Sequence, residues 1–233
     1  MLARMPIRGR YAAALAGLLL VSGCGAGPTA SPPSGVDDLV IPTPDPRPQD
    51  FTTHVDNPWF PLEPGASSAY DVVGTGQTRT ITVTDRTETV AGVPTVVVDR
   101  ALTDRHGRTL EDSEAYYAQD RAGNVWLFGE QGPARSWRAG VDGAEAGLAM
   151  PASPRLGDGW RGEYADGVAE DVIKVYAIHQ QRDVPAGDFL DVLVLDVTSP
   201  LTPGSRVRAY FTQGKGLISS ESIPGSSEDL TTP

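Results

Sequence analysis

The chain has 233 residues, with 30 acidic against 19 basic side chains, a net charge of −11, three histidines and a single cysteine. A surface of that sign repels nucleic acid and anionic headgroups, so neither is expected as a partner held by charge. A lone cysteine closes no disulfide within the chain, and the folded part must rest on its hydrophobic core.

The first predicted element is a signal segment. Arg4, Arg8 and Arg10 precede an apolar run from Tyr11 to Val21. At about eleven residues it matches a signal-peptide core of roughly 7–15 and falls short of the ~20 that a membrane span requires. It ends in Leu20-Val21-Ser22-Gly23-Cys24, which resembles the bacterial lipobox. That resemblance implies a diacylglycerol on the Cys24 thiol, cleavage ahead of it and acylation of the new N-terminus. The other reading is an ordinary secretory signal with a chance cysteine. Removing residues 1–23 takes three arginines and no acid, which moves the net charge from −11 to about −14. Anchorage then falls to the acyl chains, at about 0.8 kcal/mol per buried methylene.

Residues 24–50 follow as the lipidated cysteine and a tether rich in proline and small polar residues. Such a segment buries too little apolar area to fold, and it extends at ~3.1 Å per residue. From residue 51 the pattern is mainly β. Thr80-Ile81-Thr82-Val83-Thr84 alternates at period two, and Thr95-Val96-Val97-Val98 starts another strand after a break at Ala91–Pro94. Asp104–Gly107 reads as a turn, Leu110–Gln119 as a strand, Asp120–Asn124 as a hairpin loop, and Val125–Phe128 as the next strand. Residues 139–170 form an irregular middle segment with room for a short helix. Val172–Gln180 with Phe189–Thr198, and Val207–Thr212 with Leu217–Ile223, read as two more hairpins. Short strands joined by Gly, Asp, Asn and Pro turns predict a single antiparallel β-meander over 51–223. Residues 224–233 read as a disordered tail.

Candidate chemistry is sparse. His54, His106 and His179 have neither metal-ligand spacing nor a nucleophile signature beside them, and read as structural or surface residues. No metal and no cofactor is expected. Acidic residues are plentiful (Glu111, Asp112, Glu114, Asp120, Glu130, Asp142, Glu163, Asp166, Glu170 and Asp171), and glycoside hydrolysis would need two facing each other at ~5–9.5 Å. The loop at Asp120–Asn124 lacks the alternating oxygens of a calcium loop, and a hairpin turn explains it better. The aromatic residues Trp59, Phe60, Trp126, Phe128, Trp137 and Trp160 concentrate around the middle of the domain, near Glu130 and Asp142. Core packing accounts for such a cluster. The alternative is an apolar groove with polar groups at its mouth. On that alternative Trp126, Glu130, Trp137 and Asp142 are the candidate ligand-binding residues.

Three segments carry a family resemblance: Val55-Asp56-Asn57-Pro58-Trp59-Phe60-Pro61-Leu62-Glu63-Pro64-Gly65, Tyr117-Ala118-Gln119-Asp120 with Gly123–Glu130, and Ser136–Ala144. They look like signatures of a bacterial family of uncharacterised secreted proteins and lipoproteins. Val184–Phe189 and Tyr210–Ile218 resemble the closing hairpins of a wider set. Its fold is similar to the curved half-barrel of lipoprotein-localisation carriers, which can enclose acyl chains. Phe211-Thr212-Gln213 departs from that pattern, where an aromatic is followed by Ala-Pro. The resemblance implies a curved sheet or half-barrel, and no catalytic residue comes with it.

The expected protein is therefore lipid-anchored through Cys24 on the extracytoplasmic face of the cell membrane. Its β domain is read as non-catalytic, binding an apolar or amphipathic small molecule or lipid. The alternative is an envelope accessory protein acting through protein contacts, and a hydrolase using paired carboxylates comes third. No protein partner is named by the sequence.

Overall fold

The period-two run at Thr80–Thr84 lies inside a strand of 14 residues, because Thr78 extends the alternation on one side and Thr87 and Thr89 resume it on the other, after a register shift between Val83 and Thr87. The computed structural model describes residues 47–231 and the backbone of Val40–Ile41, all within one unit spanning 33–233. The signal segment, Cys24 and most of the tether lie outside the described residues, as do Thr232 and Pro233.

Among the described residues, fifteen strands form one sheet. In chain order they are β1 (Val40–Ile41), β2 (Phe51–Thr52), β3 (Ser67–Val72), β4 (Gln77–Val90), β5 (Val93–Thr103), β6 (Thr109–Asp120), β7 (Val125–Gln131) and β8 (Ser136–Arg138). There follow β9 (Gly147–Met150), β10 (Gly159–Arg161), β11 (Val172–Val184), β12 (Gly187–Thr198), β13 (Arg206–Thr212), β14 (Gly216–Ile223) and β15 (Ser227–Leu230). Neighbours run in the order β1-β10-β11-β12-β13-β14-β15-β3-β4-β5-β6-β7-β8, with β2 beside β6 and β9 beside β7. All pairings are antiparallel except that of β1 with β10. The sheet is open, as a curved sheet or half-barrel is. Its two ends meet without a continuous ladder, through a bridge between Glu145 and Tyr164 and the Trp160 indole N–H donating to the Leu148 carbonyl at 2.7 Å. A Cβ on Gly147 would lie 2.0 Å from the Gly162 oxygen, so this seam closes only around glycine.

The turns follow their local chemistry. Ala91-Gly92 and Asp142-Gly143 each have two successive positive φ angles, the requirement of a two-residue type I′ connection. At 120–124 the Asp120 carboxylate accepts from the Ala122 and Asn124 backbone N–H groups, the Asn124 amide and the Trp126 indole. The carboxylate that superficially suggests a calcium ligand is thus occupied by its own hairpin.

Two expectations are corrected at the ends of the domain. Residues 227–230 are not a disordered tail: they form β15, paired with both β14 and β3. One buried side chain, Leu230, and two flanking ladders suffice where the local composition shows only polar residues. At the other end the folded part starts before residue 51. Pro48–Asp50 form a 3-10 turn fastened by Arg121, which donates its backbone N–H to the Asp50 carbonyl at 3.0 Å and its guanidinium to the Gln49 carbonyl at 3.0 Å. The middle segment is irregular, but its regular pieces are the strands β9 and β10.

Both faces of the sheet are covered at β12. Leu193 and Leu195 join the main core, while Val192 and Val194 face a second cluster with Tyr70, Val184, Ile218 and Leu230. Register shifts along β11, with positive φ at His179 and Asp191, carry the tip of the β11–β12 hairpin onto this second face. There Arg182 pairs with Glu221 at 2.7 Å and stacks over the Tyr210 ring.

Candidate functional site

The aromatic residues singled out by the sequence are core. Trp126 is 1% exposed, packs edge-on against Phe51 and directs its N–H to Asp120. Trp137 and Phe128 are buried in the same core. Asp142 is an exposed turn residue, away from the others because a type I′ turn points outward. Of the four candidates, the structure brings together only Glu130 and Trp137, which stand directly opposite one another on β7 and β8. Such partners share a face of the sheet.

Glu130 is the centre of a buried ionic cluster. Its Oε1 accepts from Arg100 on β5 at 2.7 Å, and its Oε2 from the Arg135 Nε at 2.6 Å. Arg135, from the β7–β8 turn, also reaches Glu163 at 2.8 Å and Asp171 at 3.4 Å. Arg100 continues inward to the Tyr117 hydroxyl. Three carboxylates therefore face two guanidiniums. Burial disfavours ionisation of Glu130, yet the two arginines outweigh it and hold its carboxyl below the ordinary range. Glu163 goes the other way. Burial, reinforced by the charge of Glu130 and opposed by Arg135, pushes its carboxyl up to about 8. With Glu163 protonated, the remaining two carboxylates and two arginines balance. Its Oε2 and the Trp137 indole N–H are buried polar atoms without a hydrogen-bond partner.

This arrangement predicts a pH response. Between about 4.5 and about 8 the folded protein holds a Glu163 proton that the unfolded chain releases. Stability attributable to this group is therefore fully present at low pH and declines as pH rises to about 8. A Glu163→Gln variant removes that decline. Its stability relative to the parent is expected to grow from near zero at pH 5 to a few kcal/mol at pH 9, at about 1.36 kcal/mol per unit. Urea unfolding at the two pH values measures it, and a constant difference would contradict the assignment.

Arg135 and Asp171 also line an open cleft of about 460 Å³. Its walls come from the 168–171 segment, the end of β12, the β12–β13 loop and the turn after β14. Val168, Leu201 and Val207 leave 44%, 42% and 37% of their surface exposed there. Sequence reasoning missed this cleft because its residues lie in four separated segments. Arg206 stands on the same rim and shares Asp196 with Arg208. The three histidines are exposed, and among the described residues no cluster of His, Cys, Asp and Glu has the make-up of a metal site.

The segments of the family resemblance brace one another. Gln119 Oε1 accepts from the Asp56 and Asn57 backbone N–H groups, while the Asn57 amide donates to the Gly123 and Pro151 carbonyls. No family model matches the chain, and no curated protein does. A solved structure from Parabacteroides distasonis ATCC 8503, provisionally named a lipoprotein, aligns with 75% of this chain and 97% of its own at 11% identity and a TM-score of 0.40. A likeness this loose bears on neither activity nor ligand.

Proposed function

We propose that this chain is a lipid-anchored extracytoplasmic protein, held by an acylated Cys24, whose β domain binds an amphipathic small molecule without transforming it. The observation that carries the binding role is the cleft, where uncovered aliphatic side chains stand beside Arg135 and Asp171. A concave apolar wall with a few charged groups at one side is the usual make-up of a small-ligand site. A non-catalytic role is supported by Glu130, both of whose oxygens are bonded to arginines and so are poorly placed to attack or to take a proton. The anchor rests on the order of Arg4–Arg10, the apolar run and Cys24.

Octan-1-ol added to the isotope-labelled protein is expected to shift the amide resonances of 168–171 and 197–207. Leu201→Asp and Val207→Asp should each weaken the effect at least tenfold. Absence of shifts up to the solubility limit would refute the cleft as a binding site. Mass spectrometry of protein from its own host should find the acyl mass on Cys24, and a free thiol would refute the anchor. One observation favours the accessory-protein reading instead: the aromatic interior is filled by its own side chains. On that reading the same aliphatic rim is a protein contact, and octan-1-ol leaves the cleft resonances unmoved.

A further inference from the structure

One edge of the sheet takes its cover from the segment that precedes the folded domain. β10 offers one side to β11 and the other to β1, its parallel neighbour. Val175 donates its N–H to the Asp158 carbonyl and Gly162 donates to the Asp171 carbonyl, both at 2.8 Å. Backbone groups along a strand turn to alternate sides, so Asp158, Trp160 and Gly162 address β11, while Gly159 and Arg161 address the far edge. The register Val40↔Gly159 and Ile41↔Trp160 then sets Ile41 between the Gly159 carbonyl and the Arg161 N–H. The seam with β9 closes beyond β10, at Gly162 against Gly147 and at Tyr164 against Glu145. At β10 itself it is crossed by a side chain, the Trp160 indole. Gly159 and Trp160 carry neither the charge nor the proline that blunts an exposed strand, so without β1 this edge is bare.

The cover is weakly held. β1 has two residues and one neighbour, against 13 residues and two neighbours for β11. Pro42 and Pro44 follow it, and neither has an N–H with which to lengthen the ladder. It also lies on the Cys24 side of the 3-10 turn that Arg121 fastens. A pull from Cys24 therefore reaches β1 before it reaches Pro48. We infer that Val40–Ile41 is a releasable strap: the free edge of β10 accepts an extended strand, and its occupant is this chain's own tether. Docked, the strap covers the edge and leaves 16 residues, Cys24 to Leu39, between the anchor and the sheet. Released, it lengthens that span by residues 40–47, about 25 Å at ~3.1 Å per residue. The change in reach rests on the Cys24 anchor, and the covering of the edge does not.

Hydrogen exchange on the full-length chain at neutral pH compares the parent with Ile41→Pro, which removes the donor to the Gly159 carbonyl. The Arg161 amide should exchange about tenfold faster in the variant, while the Trp160 amide, turned to β11, stays within about twofold. Ile41→Val keeps the N–H and should match the parent. An Arg161 amide already unprotected in the parent, or Arg161 and Trp160 accelerating together, overturns the strap. Protection of Arg161 that grows with protein concentration would assign the strand to a second copy and overturn it equally. On a supported bilayer, neutron reflectometry should place the domain of acylated Ile41→Pro farther from the membrane than the parent's, by up to about 25 Å. Equal heights overturn the change in reach and leave the edge cover standing, whereas failure to attach to the bilayer overturns the anchor instead.

Discussion

Replacing Glu130 with alanine is expected to destabilise the protein by about 3–5 kcal/mol, the range for removing one partner of a buried ion pair. The side chain is 8% exposed, and each oxygen is held by a different arginine at 2.7 Å and 2.6 Å. Its loss leaves Arg100 and Arg135 with one surplus positive charge in a low-dielectric setting. Glu163 then offers partial relief: without the neighbouring negative charge its carboxyl ionises more readily, so the pH response described above should weaken in the same variant. Urea unfolding at pH 7 measures the first effect and its pH dependence the second. Arg86 provides the contrast. It pairs with Asp99 and Glu114 at similar distances but is 52% exposed, so Arg86→Ala should cost less than about 1 kcal/mol. Equal losses in the two variants would show that the buried cluster contributes no more than a surface pair.

Trp160→Ala should cost about 3–5 kcal/mol, the range for truncating a buried aromatic. The indole is 1% exposed, and its N–H meets the Leu148 carbonyl across the seam. A cavity at this position has little chance to collapse, because Gly147 and Gly162 already hold the neighbouring backbones in contact. Trp160→Phe should cost less than alanine does, since it keeps a six-membered ring and leaves a smaller cavity while removing the donor. About 1 kcal/mol is expected for that bond. Hydrogen exchange should report where the loss falls, with the amides of β9 and β10 opening first. Uniform loss of protection across the sheet would instead mean that the seam unfolds only with the whole domain.

Most of the strands were legible because their signals are local. Alternation in 80–84, the break at 91–94 and the Asp120–Asn124 loop each state their geometry within a few residues. β15 escaped notice because its stability comes from two neighbours distant in sequence, and only Leu230 betrays it. The site shows the same division. Glu130 and Trp137 are singled out by the coincidence of acidic and aromatic residues, and a short hairpin places them opposite each other. Asp142 was drawn in by the same coincidence, but its function is to make a turn. Trp126 is spent on the core and on Asp120. Arg135 and Glu163 carry the electrostatics of the cluster, yet they lie 28 residues apart in irregular segments, where no periodicity marks them.

The placement of β15 has a consequence for how the molecule is made. Along the sheet, β3 to β8 form one consecutive run and β10 to β14 another, and the final strand is the piece of ladder between β14 and β3. Glu228 pairs with Val72, so a contact spanning most of the described residues waits for β15 to emerge. The two runs can each assemble early, but their edges at β3 and β14 stay open until β15 has been made. Such bare edges are sticky, and a chain released before β15 would keep them exposed to its neighbours.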